Sequence, residues 1–140
     1  MAEAGEELHG PDGFRLLLVK TGAETDGELL EMEASYSGEA GMPPEHLHPS
    51  QTESFEVLEG SMRTLIGGEE RVYGPGEQFE VPAVVPHQMA AQEPTRMRWE
   101  VRPALRTAEF FDALYALTRG EGDRTLAELF EEFSAEVRIT

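Results

Sequence analysis

Apolar and polar residues alternate strictly in two stretches of the chain. Met97, Trp99 and Val101 interleave with Arg96, Arg98, Glu100 and Arg102, and Leu30, Met32, Ala34 and Tyr36 interleave with Glu31, Glu33 and Ser35. A period of two puts each apolar set on one face of a strand, with the other face in water. Shorter strand-like runs fill the chain from Phe14 to Arg102, at 14–19, 28–37, 53–60, 61–66, 71–73, 77–81, 87–91 and 96–101. They are separated by turn residues, among them Gly22, Gly27, Gly38, Gly41, Gly60, the pair Gly67 and Gly68, and the run Gly74, Pro75, Gly76. Short strands punctuated in this way predict an all-β sandwich or barrel over residues 14–103.

After Pro103 the period lengthens. Phe110, Phe111, Leu114, Tyr115 and Leu117 recur at helical spacing, as do Leu126, Leu129, Phe130, Phe133 and Val137, with the breaker GEGD at 120–123 between them. Thr125 followed by Glu128 is a capping-box pattern. The spacing predicts two amphipathic α-helices, the second running to Val137, in a C-terminal helical appendix over residues 104–140. Their aromatic stripe reads as packing, against the barrel or another subunit. Residues 1–13 hold few apolar side chains and read as a loosely ordered segment able to add a strand on docking.

A chain of 140 residues is the length of one domain and buries an ordinary core without covalent staples. Asp and Glu number 28 against 11 Lys and Arg, for a net charge of −17, and there is no cysteine. Disulfide and thiolate chemistry are thereby excluded. So acidic a surface repels polyanions, which argues against nucleic-acid and anionic-membrane partners. No apolar run approaches the roughly 20 residues of a membrane span, and the opening MAEAGEEL is acidic where a signal peptide is basic. These features read as a soluble, cytoplasmic protein.

Candidate chemistry lies with the histidines. Two of the four form His46-Leu47-His48, and on a strand residues two apart project to the same side, so both imidazoles aim at one point. Glu53 has the wrong parity for an unbroken strand from His48, but a turn at Pro49, Ser50 and Gln51 re-aims it inward. His87 opens another strand and shares its face with Met89 and Ala91. Three imidazoles and one carboxylate suit a six-coordinate divalent metal with up to two open positions, leaving the centre at about +1. An anionic or enolisable oxygen donor is favoured there. By parity Tyr36, Phe55, Phe79, Met89 and Trp99 face the same interior, as core and as candidate walls of a substrate pocket. Tyr36 and Glu53 are the candidates for a catalytic role, since a buried phenol needs a partner and a carboxylate can serve as a base. His9 has no partner at ligand spacing and reads as an ordinary exposed histidine.

These residues resemble a known family. GMPPEHLHPSQTESFEVLEG, residues 41–60, is similar to the first cupin motif, with His46, His48 and Glu53 at the ligand positions, and GEQFEVPAVVPHQMAA, residues 76–91, is similar to the second, with His87 as the last ligand. Three departures stand out. Gly41 lies five residues before His46 where the pattern has six, Val84 stands where the second motif usually has glycine, and Ala91 replaces a common asparagine. The resemblance implies a double-stranded β-helix (jelly-roll) barrel followed by the C-terminal helices, often a homodimer. It implies one divalent transition metal (Fe, Mn, Ni, Zn, Cu or Co) held by His46, His48, Glu53 and His87. The function it suggests is binding of a small organic molecule at that centre and its transformation by a dioxygenase-like or isomerase-like reaction. A different class remains open, a non-catalytic ligand-binding or sensing barrel whose metal is structural or absent.

Overall fold

The alternating runs form two antiparallel sheets, and their apolar faces meet. The computed structural model describes residues 2–140. The strands are β1 (Glu7–His9), β2 (Arg15–Lys20), β3 (Leu30–Tyr36), β4 (His46–Leu47), β5 (Thr52–Glu59), β6 (Met62–Ile66), β7 (Glu69–Tyr73), β8 (Gln78–Val81), β9 (His87–Ala91), β10 (Thr95–Arg102) and β11 (Arg138–Ile139). One sheet has the order β1-β2-β3-β10-β5-β8 and the other β11-β4-β9-β6-β7. Phe55, Val57, Phe79, Val81 and Met97 from the first sheet are buried together with Met62 and Ala91 from the second, filling the space between them.

The helices are α1 (Gly22–Thr25), α2 (Thr107–Thr118) and α3 (Leu126–Glu132). Where the larger sheet outruns the smaller one, α2 covers it. Ala108 and Tyr115 are buried with Leu16, Leu18, Leu30, Met32 and Ala34. Phe110 of α2 in turn packs on Leu129, Phe133 and Val137. The outward residues of β10 pair across strands as the alternation requires, Arg96 with Glu33 at 2.9 Å and Glu59 at 3.1 Å, and Arg98 with Glu56 at 3.0 Å. Such exposed pairs contribute little each, on the order of 0.2–1 kcal/mol.

Three features of the chain ends differ from or add to the sequence pattern. The segment that reads as able to add a strand does so within its own chain, β1 pairing with β2 and burying Leu8. The capping box forms at α3, Thr125 N–H donating to Glu128 at 2.9 Å and Glu128 N–H to Thr125 Oγ1 at 3.1 Å. The second predicted helix, however, stops at Glu132 and does not reach Val137. Phe133 and Val137 keep helical spacing because one isolated turn joins them, Val137 N–H donating to the Phe133 carbonyl at 3.0 Å. Beyond that turn the chain extends into β11 on the edge of β4.

Gly60, at the end of the first motif, has φ +91°, and a Cβ there would lie 2.4 Å from the Pro94 carbonyl oxygen and from Thr95 Oγ1. Only glycine allows the β5–β6 turn to approach the loop before β10 so closely.

Candidate metal centre

The three motif histidines converge from the smaller sheet. His46 on β4 is the cross-strand partner of His87 on β9, and their ring centroids lie 4.4 Å apart. His48, just past the end of β4, has its ring 5.2 Å from that of His46 and 5.0 Å from that of His87. One nitrogen from each of the three lies within 4.8 Å of the others. The chain bends at Pro49 and Ser50, and this break in parity turns Glu53 on β5 inward from the opposite sheet. Glu53 Oε1 lies 2.9 Å from His48 Nε2 and 3.1 Å from His87 Nε2. His48, His87 and Glu53 are buried, whereas His46 is half-buried.

The hydrogen bonds decide which way the nitrogens face. Nδ1 of His46 lies 3.1 Å from the Pro44 carbonyl, Nδ1 of His87 3.0 Å from the Val85 carbonyl, and Nδ1 of His48 2.8 Å from the Glu136 carbonyl. A carbonyl oxygen only accepts, so each Nδ1 carries a proton and donates it, and each ring, when neutral, presents its Nε2 lone pair. His48 Nε2 and Glu53 Oε1 are both buried with no hydrogen-bond partner of acceptable geometry, despite their short separation. Lone pairs and a carboxylate therefore crowd into one small buried volume. That arrangement is costly unless a cation or protons occupy it.

The electrostatics agree. Burial works against ionisation of Glu53, but close contact with His48 and His87 and their attraction outweigh it and hold the carboxyl far below its ordinary value. Burial likewise disfavours a charged His48, yet the Glu53 oxygen and charge, with help from the Glu136 carbonyl, carry its pKa above the ordinary one. His46 goes the other way, lowered to about 4 by burial first and then by the charge of His87. The pocket favours positive charge beside Glu53 and rejects it on the outer ring.

Glu53 has a further partner. Trp99 on β10 donates its indole N–H to Glu53 Oε2 at 2.9 Å, leaving Oε1 to face the imidazoles. Parity alone placed Trp99 among the interior side chains. A buried indole N–H requires an acceptor, and that requirement is the signal that points to the carboxylate. The remaining predicted wall residues are distributed differently. Phe55 and Phe79 are buried and stacked, 4.8 Å between centroids, with Tyr73 beyond Phe79 at 4.5 Å and Trp99 beyond Phe55 at 5.3 Å. Met89 is half-buried against the same cluster. Tyr36 packs on Phe14 at 4.9 Å, and burial, with the Glu53 charge second, raises its pKa well above the ordinary phenol value. A cavity of about 200 Å³ beside β6 and β7 is lined by Thr64, Ile66, Glu69, Arg71, Tyr73 and Glu80, none of them in the predicted wall set. His9 stands apart, exposed beside Glu7 at 3.3 Å.

Comparison with known proteins places this geometry. A model of the cupin domain matches residues 32–101, the span that holds the three clustered histidines and Glu53. No curated protein matches the chain by sequence. Among solved structures the chain is similar to KdgF from a Halomonas species, with TM-score 0.62 and 20% identity over 70% of this chain and 86% of that one. It is similar to an RmlC-like cupin from Shewanella frigidimarina, with TM-score 0.63 and 19% identity over 74% and 87%. A Streptomyces Pac13 variant bound to uridine gives TM-score 0.59 and 17% identity over 75% and 80%. Pac13 is described as a nucleoside dehydratase. At such identities the likeness is one of fold.

Proposed function

The chain belongs to the cupin domain family, and from that premise we propose that it holds one divalent transition-metal ion through His46, His48, His87 and Glu53 and offers the ion's open side to a small organic molecule. The observation that carries this reading is the orientation of the rings. Three backbone carbonyls take the three Nδ1 protons, so Nε2 is the nitrogen each ring has left for a ligand bond, and the buried carboxylate supplies the matching negative charge. Outer carbonyls of this kind orient metal-binding imidazoles.

A bound ion would supply Lewis acidity toward an oxygen donor, stabilising negative charge that develops there. The protein's own groups do the rest. Trp99 holds Glu53 in place through Oε2, which supports a ligand role for the carboxylate over that of a mobile base. Tyr36 keeps its proton at neutral pH, because burial and the nearby Glu53 charge oppose its loss. Its hydroxyl, close enough to feel the Glu53 charge, is a candidate donor to a substrate oxygen. The Pac13 complex with uridine supports a polar small molecule as the kind of ligand this barrel accepts. A dioxygenase-like or isomerase-like reaction fits a centre with open positions.

The test is direct. Protein purified free of metal and reconstituted with Fe(II), Mn(II), Ni(II), Co(II), Cu(II) or Zn(II) is expected to retain about one ion per chain, and His48→Ala to lose it. Loss of all metal from the unsubstituted protein on gel filtration would sink the proposal. Dioxygen uptake and product analysis with phenols, flavonols and 1,3-diketones then separate the classes. Turnover abolished in His48→Ala identifies an enzyme, whereas retained metal without turnover identifies a binding or sensing barrel.

A further inference from the structure

The three histidines are not held alike. His46 and His87 donate to carbonyls two residues earlier in the chain, Pro44 and Val85, so their orientation follows from local turns. His48 donates to the carbonyl of Glu136, 88 residues away. No carbonyl of its own turn holds that Nδ1.

Glu136 is itself held by a closed set of contacts. It is 5% exposed, and its carboxylate Oε2 accepts the Arg106 backbone N–H at 3.2 Å, at the entrance to α2. That entrance is fastened to the metal-bearing turn by Gln51, which is fully buried between His48 and Glu53. Gln51 Nε2 lies 2.9 Å from the Pro103 carbonyl, 3.1 Å from the Ala104 carbonyl and 2.8 Å from Thr107 Oγ1. The opposite amide orientation would set its oxygen against two carbonyls. The Arg106 side chain closes the circuit, pairing with Glu132 at 2.8 Å and covering the Phe133 ring at 4.5 Å. Past Glu136, Arg138 and Ile139 pair with Leu47 and His46, and Thr140 N–H donates to the Glu45 carbonyl at 3.1 Å. The C-terminal residues thus touch both ends of the H-x-H motif.

We infer that Glu136 is a positioning residue for His48, and that docking of the C-terminal segment 133–140 and metal binding at the centre are coupled. The inference rests on the metal reading above. When the segment is docked, the Glu136 carbonyl sets the His48 tautomer and aim; when it is not, one of the three imidazoles loses its direction. By linkage, the ion must strengthen the docking of the segment by the same factor that docking strengthens the ion.

The experiment uses the full chain and Co(II). In Glu136→Ala the Arg106 N–H loses its acceptor and residue 136 loses its anchor, and Co(II) affinity, read from visible absorbance and calorimetry, is expected to fall about 10–100-fold, as for other partners that orient metal ligands. Glu136→Gln keeps an acceptor oxygen and should restore most of the affinity. In the unsubstituted protein, Co(II) should slow amide hydrogen exchange across 134–140 more than in β2 and β3. A folded Glu136→Ala protein with unchanged Co(II) affinity would overturn the inference and leave the metal reading standing. Should that variant fail to fold, unchanged exchange at 134–140 in the unsubstituted protein overturns it equally. Failure of the unsubstituted protein to bind Co(II) or any other divalent ion overturns both.

Discussion

Val84 sits at φ +63° with a β-branched side chain, in the place where the second motif usually carries glycine. Its backbone is held in place by Val84 N–H, which donates to the His48 carbonyl at 2.9 Å and ties the turn before β9 to the H-x-H segment. A left-handed conformation costs an L-residue roughly 1–2 kcal/mol, and β-branching places valine at the upper end. Val84→Gly removes that strain. Against the gain stand the extra disorder of glycine in the unfolded chain, roughly 0.5–1 kcal/mol, and the small burial of a side chain that is 61% exposed. The balance is a stabilisation of about 0.5–1 kcal/mol. In urea denaturation of the metal-free protein this shifts the midpoint upward by about 0.3–0.5 M with an unchanged slope, and it raises the melting temperature by roughly 2–4 °C. Val84→Ala retains a Cβ at positive φ and should not reproduce the gain. A Val84→Gly protein no more stable than the parent, or one matched by Val84→Ala, would refute the argument that the turn stores strain.

Trp99 is the only tryptophan and its N–H binds Glu53, so Co(II) or Cu(II) binding should quench the intrinsic fluorescence, and Trp99→Phe should weaken metal affinity about 10-fold by freeing the carboxylate; unchanged affinity by calorimetry would count against that positioning role. Gln51→Leu strips the Pro103 and Ala104 carbonyls of a buried donor and is expected to cost about 1–3 kcal/mol in denaturant-measured stability, with a cost near zero the contrary result. Thr125→Ala removes one half of the α3 capping box and should cost about 1 kcal/mol. Hydrogen bonding to the Thr125 backbone and side chain holds the Glu128 carboxyl below its ordinary value, so the cap contributes above the unfolded pKa and fades as pH falls through the folded one. A carboxyl titration by NMR that shows Glu128 at or above the ordinary glutamate value would contradict it.

What could be read from the sequence was local. Period-two runs announced β3 and β10, helical spacing announced α2, and the Thr125–Glu128 pattern announced the start of α3. The convergence of His46 and His48 was legible because residues two apart in extended chain share a direction, although β4 itself ends at Leu47, and Glu53 because Pro49 and Ser50 break parity. The parts that escaped are long-range or belong to the backbone. Helical spacing of Phe133 and Val137 cannot distinguish a helix from one isolated turn followed by a strand, so the length of α3 and the existence of β11 were hidden. The Glu136 carbonyl that orients His48 has no side-chain signature at all. Parity put Trp99 inside the barrel, but only the register of β10 on β5, with Trp99 opposite Phe55 and Val101 opposite Glu53, brings its N–H within reach of the carboxylate.

The unequal burial of the four central residues also gives the site a direction. His48, His87 and Glu53 are nearly sealed, and each is braced by a carbonyl or by Trp99. His46 is half-buried, its ring held by the Pro44 carbonyl in the loop before β4. That loop is pinned in turn to β9, Gln88 Nε2 donating to the Pro43 carbonyl at 2.7 Å and Ala40 N–H to the Ala91 carbonyl at 3.1 Å. Ala91 therefore contributes through its backbone, and a side-chain amide at that position is not needed to hold the loop. His46 is the one ring of the three that is not fully buried, and the loop at 40–45 is the segment that leads into it. Variation in that loop therefore bears first on His46, while the three buried groups are held from elsewhere in the fold.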